Sequence, residues 1–444
     1  MRTSPLDRRP FTNVRALPER GEPPATVASG QIACRSCAAT AVVLLLELGD
    51  VPVLIDDRPD DSDAGPVAPL CLARCTECDV LQVVDVLDDV QRQLVATATA
   101  PRSFAGRPES ARRFCEDAID RWKLEGDGHI IEVGSGTGAL LRFFRAWQLP
   151  VLGIEPDERL TRYARLRRIP TWRARFDAAI ADRIAHAGMH ADLLILSTPI
   201  GAFEDLRKTL SAAAAALAPG GVLTLEVPDV LRIVGRTRFD SVSHTDPIIP
   251  SVGQVQRLIA PFGLDVVDVE RADMADDRLR LWIRSRQEGA SVVGHPRLRT
   301  RLRAEASNGV EHAETIVAFA SRARLIRRHI RSLLDDAAQR HCTVAAYGTS
   351  PDAITLACAV GLTRRDVAYV VDPYILSRCG NLPGTDVPVT GELGGATRRP
   401  DLVLAIDDLP SAPRGWEGVP IYAVADLADV VHRLTTEYAL HYAR

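Results

Sequence analysis

The run Ile130-Ile131-Glu132-Val133-Gly134-Ser135-Gly136-Thr137-Gly138 constrains this chain more than any other stretch. An apolar strand empties into a turn with glycine at every second position, and an apolar, helix-forming segment follows. Glycines let the backbone turn tightly and come close to a ligand. Such a loop belongs between a parallel strand and a helix, and the flanking sequence supplies the rest of that pattern. The spacing predicts strands at His129–Val133, Val151–Ile154, Asp192–Leu196 and Val222–Val227. It predicts helices at Leu140–Trp147, Glu158–Arg167 and Leu206–Ala216, with a helical pattern from about Ser110. A closing β pair fits Leu264–Asp268 and Leu279–Ile283. Regular β–α alternation implies a doubly wound, mostly parallel sheet.

This unit fills only part of 444 residues, a length that suggests about three domains. An Arg- and Ala-rich helical region follows, from about Pro296 to Ala338, and its charge run Arg322–Arg328 reads as a solvated face. A second, smaller β–α series then runs through Thr343–Tyr347, Ala353–Val360, Val367–Val371, Leu402–Ala405 and Ile421–Ala423. Ahead of the glycine loop, short β-like runs at Ala41–Leu46, Val51–Ile55 and Val80–Val84 surround an acidic, loop-like stretch, Asp56–Pro69. Residues 1–28 lack an apolar h-region and read as a disordered tail rather than a secretory signal. The longest early apolar run, Ala41–Leu46, falls far short of the roughly 20 residues that span a bilayer. A net charge of −4 gives no general reason to expect a nucleic-acid partner. Lys123 and Lys208 are the only lysines. The Arg- and Ala-rich composition fits GC-rich bacterial coding, and Schiff-base chemistry is disfavoured. The resulting division is a tail at 1–28, a cysteine module at 29–92, the glycine-loop domain at 93–288, and a C-terminal α/β domain with a helical lead-in at 289–444.

Nine cysteines in a chain of cytoplasmic character point to metal binding rather than disulfides. Cys34-x2-Cys37 and Cys75-x2-Cys78 form two knuckles, each able to present two thiolates from a tight turn. Together they complete a tetrahedral, closed and therefore structural zinc site. Cys71 is a less well spaced substitute, and Cys115, Cys342, Cys358 and Cys379 read as core thiols. A change at Cys75 is expected to unsettle the module and to spare an isolated glycine-loop domain.

Nicotinamide sites use a related glycine loop, so the loop alone does not name its ligand. Two details favour S-adenosylmethionine. Glu132 opens the loop, where a carboxylate can stabilise a cationic methionine portion or orient the turn. The next strand ends in Gly153-Ile154-Glu155-Pro156, which places a carboxylate to accept from both ribose hydroxyls. The expected cofactor residues are Glu132, Gly134, Ser135, Gly136, Gly138, Glu155, Pro156 and Ser197. The turn Leu217–Val222 before the fourth strand also suits such methyltransferases. A vestigial, empty site is the third reading. The fold class expected is thus α/β: a class I S-adenosylmethionine-methyltransferase Rossmann domain, an N-terminal zinc module and a second, C-terminal Rossmann-like domain.

The order of these parts resembles the three-domain nucleotide-sugar C-methyltransferases, over roughly residues 30–425. The stretches that carry the resemblance include Cys75-x2-Cys78-Asp79-Val80-Leu81-Gln82, Leu225-Glu226-Val227-Pro228-Asp229, Phe262–Glu270, Ala346-Tyr347-Gly348, Val370-Val371-Asp372 and Pro383–Val389. The resemblance implies methylation of a carbon beside a ketone in a deoxysugar or related natural-product intermediate, on a small and nucleotide-linked substrate. The acid–base half is rewritten. Where the family has Tyr-His-Glu-His, this chain has Ser243-His244-Thr245-Asp246, and no Tyr precedes Tyr163. The family's Asn-Asn-x-x-x-His reads Ser197–Ala202, and its Gly-Ala-x-x-Lys-Gly reads Gly348–Ala353. His244 as base with Asp246 orienting it, or Asp246 as base, are the candidate catalytic roles. A cofactor-binding member with a different reaction, or a noncatalytic binding protein, are the alternatives.

Overall fold

The computed structural model describes residues 32–53, 66–84, 87, 108–272, 278–286, 294–372, 380–391, 399–407, 416, 418–424 and 426. The tail 1–28, residues 56–65 of the acidic stretch and Cys379 lie outside the described residues.

Three sheets organise the chain. The first is antiparallel, with β1 (Val42–Pro52), β2 (Val67–Cys75), β3 (Leu81–Val83) and the short β9 (Ile248–Ile249) in that order. The run expected at Ala41–Leu46 and the start of the run expected at Val51–Ile55 lie on one strand, broken in register between Leu44 and Leu46 and between Glu47 and Asp50; residues 54 and 55 lie outside the described residues. Val67–Pro69, expected within a loop, opens β2. Pro69 is tolerated there because β3 pairs with β2 only from Leu72 to Arg74, so the far edge needs no N–H at that point.

The second sheet holds the glycine loop. It contains β4 (His129–Val133), β5 (Val151–Ile154), β6 (Thr171–Trp172), β7 (Ala191–Leu196), β8 (Leu217–Pro228), β10 (Leu264–Arg271) and β11 (Arg278–Ser285). The order is β10-β11-β8-β7-β4-β5-β6. Neighbours are parallel except around β11, which runs antiparallel to both β10 and β8. The turn expected at Leu217–Val222 is a bulge inside β8, since Ala191 pairs with Leu217 and Leu193 with Val222. Its helices are α1 (Pro108–Trp122), α2 (Leu141–Ala146), α3 (Glu158–Leu166), α4 (Ala178–His186), α5 (Leu206–Ala216), α6 (Val230–Gly235) and α7 (Val252–Ile259). Five of these start at a side chain that accepts a first-turn N–H: Asp157, Asp177, Asp205, Asp229 and Ser251.

The helical region expected from about Pro296 to Ala338 consists of two helices, α8 (Pro296–Ser307) and α9 (Ala313–Gln339). The third sheet is parallel throughout, with β14 (Val389–Thr390), β13 (Tyr369–Val371), β12 (Val344–Tyr347), β15 (Leu402–Ala405) and β16 (Ile421–Ala423) in spatial order. Helix α10 (Pro351–Val360) follows β12. Among the described residues no helix is long and apolar enough to cross a membrane.

Helix α9 corrects the reading of Arg322–Arg328 as a solvated face. Arg322 donates to the carbonyl of Val234 and to the Thr237 hydroxyl, both at 3.0 Å. Arg324 and Arg327 donate to the carbonyls of Leu45 and Glu47. These guanidiniums tie α9 to α6 and to β1, because their long stems carry the charge past an apolar stripe to backbone carbonyls. That stripe, Ile316, Phe319, Ala320, Ala323, Ile326 and Ile330, shares one core with Leu46 and Leu48 of β1, Leu70 of β2, Ile233 of α6 and Ile354 of α10. One face of the first sheet is therefore completed by α9, while Leu44, Ala73 and Val84 form only a small cluster of the sheet's own. Phe319 is wholly buried, so Phe319→Ala should cost about 3–5 kcal/mol. Denaturant unfolding followed by hydrogen exchange should show the first and third sheets losing protection together.

Candidate cofactor, metal and acid–base sites

Strand β4 sits where the strand order turns, with β5 and β6 to one side and β7 and β8 to the other. A ligand crevice opens beyond the carboxyl ends of the strands at such a point, and the glycine loop leaves β4 there. The loop is tied to the neighbouring strand through Gly134 N–H, which donates to the Ile154 carbonyl at 2.8 Å. Gly134 has φ +74°, and a Cβ there would come within 2.2 Å of the Thr198 hydroxyl. Gly153 lies equally close beneath: its Cβ would meet Ser135 Oγ at 2.4 Å.

Glu155 is 3% exposed. One carboxylate oxygen accepts the Gly136 N–H at 2.8 Å and the other the Asp157 N–H at 2.9 Å. It thus shapes the loop directly, and each oxygen keeps a lone pair. Burial pushes its carboxyl up, and the two backbone donors oppose that. Exposed Pro156 leads from Glu155 to the Asp157 cap of α3. Glu132 is wholly buried. Its Oε1 accepts from Ser197 Oγ at 2.7 Å, and its Oε2 has no hydrogen-bond partner among the described residues. The buried hydroxyl of Ser135 likewise has none. Burial pushes the Glu132 carboxyl up to about 8. A crevice floored by glycines, with an orphaned carboxylate oxygen and an orphaned hydroxyl, fits a polar, cationic ligand that supplies the missing charge and hydrogen bonds.

The two cysteine knuckles are built alike. In each, the N–H four residues after the first cysteine returns to that cysteine's carbonyl: Ala38 to Cys34 at 2.8 Å and Asp79 to Cys75 at 3.1 Å. Ala38 and Asp79 both take left-handed backbone, at φ 64° and 60°. Cys34 Sγ lies 3.6 Å from Cys78 Sγ, and Cys37 Sγ lies 3.6 Å from Cys75 Sγ. All four sulfurs fall within 4.8 Å of one another. That is far beyond the ~2.05 Å of a disulfide, and near the ~3.8 Å between thiolates at the corners of a tetrahedron of 2.3 Å bonds. The four-cysteine group can hold a metal ion. Cys71 lies on β2 opposite Glu47, outside the group.

The knuckles are anchored to the glycine-loop domain. Gln254 of α7 donates to the Cys78 carbonyl at 3.1 Å, and Arg35 to the Gly201 carbonyl at 3.2 Å. Cys34 and Cys75 share a core with Ile131, Val133, Ile200 and Ile248. The expectation for Cys75 concerns an isolated glycine-loop domain; in the whole chain the module and that domain have a common core, so a change at Cys75 reaches both.

The loop Ser243–Asp246 lies between the first two sheets. His244 is 4% exposed, with Nε2 3.2 Å from the Ala68 carbonyl on β2. Ser243 Oγ and Thr245 Oγ1 are 3.1 Å apart. Asp246 forms an ion pair with Arg278. Arg278 opens β11 opposite Pro228, at the carboxyl end of β8, and donates to the Glu226 carbonyl at 3.2 Å. Arg280 pairs with the Glu226 carboxylate at 2.7 Å. The sequence reading missed Arg278 and Glu226 as site residues. Their only local signal was the alternation of Arg278 and Arg280 with apolar Leu279 and Leu281, which marks a strand and no partner.

Two outcomes follow from this geometry. Glu132 is neutral when buried below pH about 8, against 4.5 for an ordinary carboxyl. Its contribution to stability is therefore fully present below the ordinary value and is lost as pH rises through the folded one. Urea unfolding without added ligand should show wild type losing stability relative to Glu132→Gln between those two pH values, and parallel curves would refute the assignment. Elemental analysis of purified protein should find about one metal ion per chain, lost in Cys75→Ser. That variant should also lower the thermal midpoint of the glycine-loop domain.

Comparison with known proteins completes the picture. Residues 108–269 match the family described as methyltransferase domain, and residues 278–407 match the C-methyltransferase C-terminal domain. The chain is 27% identical over 377 residues to the C-methyltransferase NovU of Streptomyces niveus, covering 84% of this chain and 89% of that protein. Among solved structures, the 1,6-didemethyltoxoflavin-N1-methyltransferase of Burkholderia thailandensis aligns with TM-score 0.35 and 14% identity, over 49% of this chain and 96% of that one. The glycopeptide N-methyltransferase MtfA, complexed with S-adenosyl-L-methionine, aligns with TM-score 0.31 and 13% identity, over 40% of this chain and 94% of that one. With two family matches in sequence along one chain and a relative that spans most of it, this protein belongs, as a divergent member, to the S-adenosylmethionine-dependent C-methyltransferases.

Proposed function

We propose that this enzyme methylates a carbon beside a ketone in a nucleotide-linked deoxysugar or related natural-product intermediate, in the cytoplasm. The observation that carries the reading is the pairing of Asp246 with Arg278 at the carboxyl end of β8, on the same edge of the sheet as the glycine loop. C-methylation at such a carbon needs a base for the α-proton and a positive group for the enolate oxygen. An anionic carboxylate beside a guanidinium supplies both.

S-adenosylmethionine, when bound, supplies an electrophilic methyl group. Gly134, Ser135, Gly136 and Gly138 would line its path, Glu132 and Ser197 would face its charged portion, and Glu155 would use its remaining lone pairs on the ribose hydroxyls beside Pro156. Asp246, paired with Arg278, offers a carboxylate oxygen as the proton acceptor. His244 is the second candidate: its Nε2–H donates to the Ala68 carbonyl, so Nδ1 is the nitrogen that would take the proton. Four cysteinyl sulfurs at tetrahedral spacing suit zinc in a structural role at Cys34, Cys37, Cys75 and Cys78.

Radiolabelled methyl transfer to a panel of nucleotide-linked ketodeoxysugars tests this, with the new carbon–methyl bond located by NMR. Asp246→Asn should lower kcat about 10²–10⁴-fold, with affinity for S-adenosylhomocysteine unchanged by calorimetry. If Asp246→Asn and His244→Ala both retain wild-type turnover, the acid–base assignment is wrong. No methyl transfer to any ketodeoxysugar would move a different reaction, or binding without catalysis, ahead.

A further inference from the structure

The segment that delivers Ser243–Asp246 is held from outside its own domain. After α6 the chain reverses through Thr237, which adopts φ 54°, a costly conformation for a β-branched residue. Arg322 of α9 fixes the Thr237 hydroxyl at 3.0 Å, and Phe239, 2% exposed, plugs the shared core. A short 3-10 turn, Phe239–Ser241, then leads into the loop.

Arg238 and Ser241 reach across to the C-terminal sheet. The Arg238 Nε contacts both carboxylate oxygens of Asp240 at 3.1 Å, while its Nη2 donates to Asp352 Oδ2 at 2.6 Å. The Ser241 hydroxyl donates to that same oxygen at 2.8 Å. Asp352 is fixed in turn. It lies in the first turn of α10, after the Ser350 cap and Pro351, where a carboxylate suits the helix N-terminus. The loop Gly348–Ser350 ahead of it leaves β12, the strand from which the third sheet extends to β13 on one side and β15 on the other. Asp372, after β13, accepts from the Thr349 hydroxyl, and Asp407, after β15, accepts the Ser350 N–H at 3.2 Å. Polar contacts from the carboxyl ends of β13 and β15 thus fix the loop that leads directly into Asp352, and Asp352 in turn holds the turn three residues ahead of His244.

We infer that the Arg238–Asp352–Ser241 contact is a latch through which the C-terminal domain positions the Ser243–Asp246 loop. Asp352 is then a positioning residue for methyl transfer that touches neither cofactor nor reacting carbon. The latch as a holding device stands on its own contacts, whereas its effect on turnover rests on the proposed function. A small displacement of Asp246 is costly, because a misplacement of about 1 Å can lower turnover about 10²-fold. The third sheet therefore acts on chemistry at the second without contributing a side chain to it.

Two measurements on the full chain test this. In hydrogen-exchange mass spectrometry, Asp352→Ala should raise exchange across residues 237–249 about tenfold, and Asp352→Glu should restore protection. Calorimetry should show unchanged affinity for S-adenosylhomocysteine. Equal exchange in wild type and Asp352→Ala would overturn the latch. In turnover with a ketodeoxysugar that wild type methylates, Asp352→Ala should lower kcat about 10–100-fold. KM for S-adenosylmethionine should be unchanged and Asp352→Glu should recover the rate. Wild-type kcat in Asp352→Ala would overturn the positioning role. If wild type methylates none of the panel, the proposed function fails, and the exchange measurement still decides whether the latch exists.

Discussion

The architecture around the rewritten loop depends on a two-residue strand. Ile248 and Ile249 pair with Gln82 and Leu81, so a segment that follows the glycine-loop domain's fifth parallel strand becomes the last strand of the N-terminal sheet. Both side chains are essentially inaccessible. Gly201, after β7, makes room for Ile248, since a Cβ there would lie 2.7 Å from its Cγ2. With that pairing in place, the cysteine knuckles sit against the carboxyl edge of β7, and His244 is brought under β2. Without it, the cysteine module would be joined to the glycine-loop domain by side-chain contacts and shared cores alone, and the loop before Pro247 would have one wall fewer.

Heavy use of arginine, a matter of composition in the sequence, has structural weight. Buried Asp268 is approached by Arg121 and Arg297, and Glu226 by Arg278 and Arg280. Arg280 also lies over the ring of Phe114 at 4.4 Å, and Arg121 over that of Trp282 at 5.1 Å. A guanidinium can stack on an aromatic face and still direct its N–H groups in the plane of the fork, which an ammonium cannot do. The helix α1 is fastened over β11 in this way, with Phe114 and Trp282 stacked at 5.7 Å.

What could be read from the sequence divides along physical lines. Strands β4, β5, β15 and β16 and helix α5 fall at their expected boundaries, because each begins directly after a Gly, Pro or Asp. The short helices α6 and α7 and the strands β6 and β9 were not expected. Each is too brief to show a period, and each is stabilised by packing from elsewhere in the chain. The cysteine pairs and the glycine loop were legible because their chemistry is local in sequence. The partners of the acid–base candidates were not. His244 meets a backbone carbonyl 176 residues earlier, and Asp246 meets an arginine 32 residues later. Glu155 was read as a ribose acceptor, and its bonds to Gly136 and Asp157 show it first as a brace for the loop. Backbone partners of this kind leave no mark in residue type.

The shared core around α9 also has a consequence in time. β1 and β2 are translated early, yet the apolar stripe that covers them, Ile316 to Ile330, lies far downstream of Cys75 at the end of β2. At roughly 5–20 residues per second on the ribosome, the hairpin waits about 12–50 seconds for its cover. During that interval four closely spaced thiols and a row of leucines have no finished interior to enter. Early capture of a metal ion by the two knuckles would hold the nascent hairpin together and keep its sulfurs from oxidation until the rest of the chain arrives.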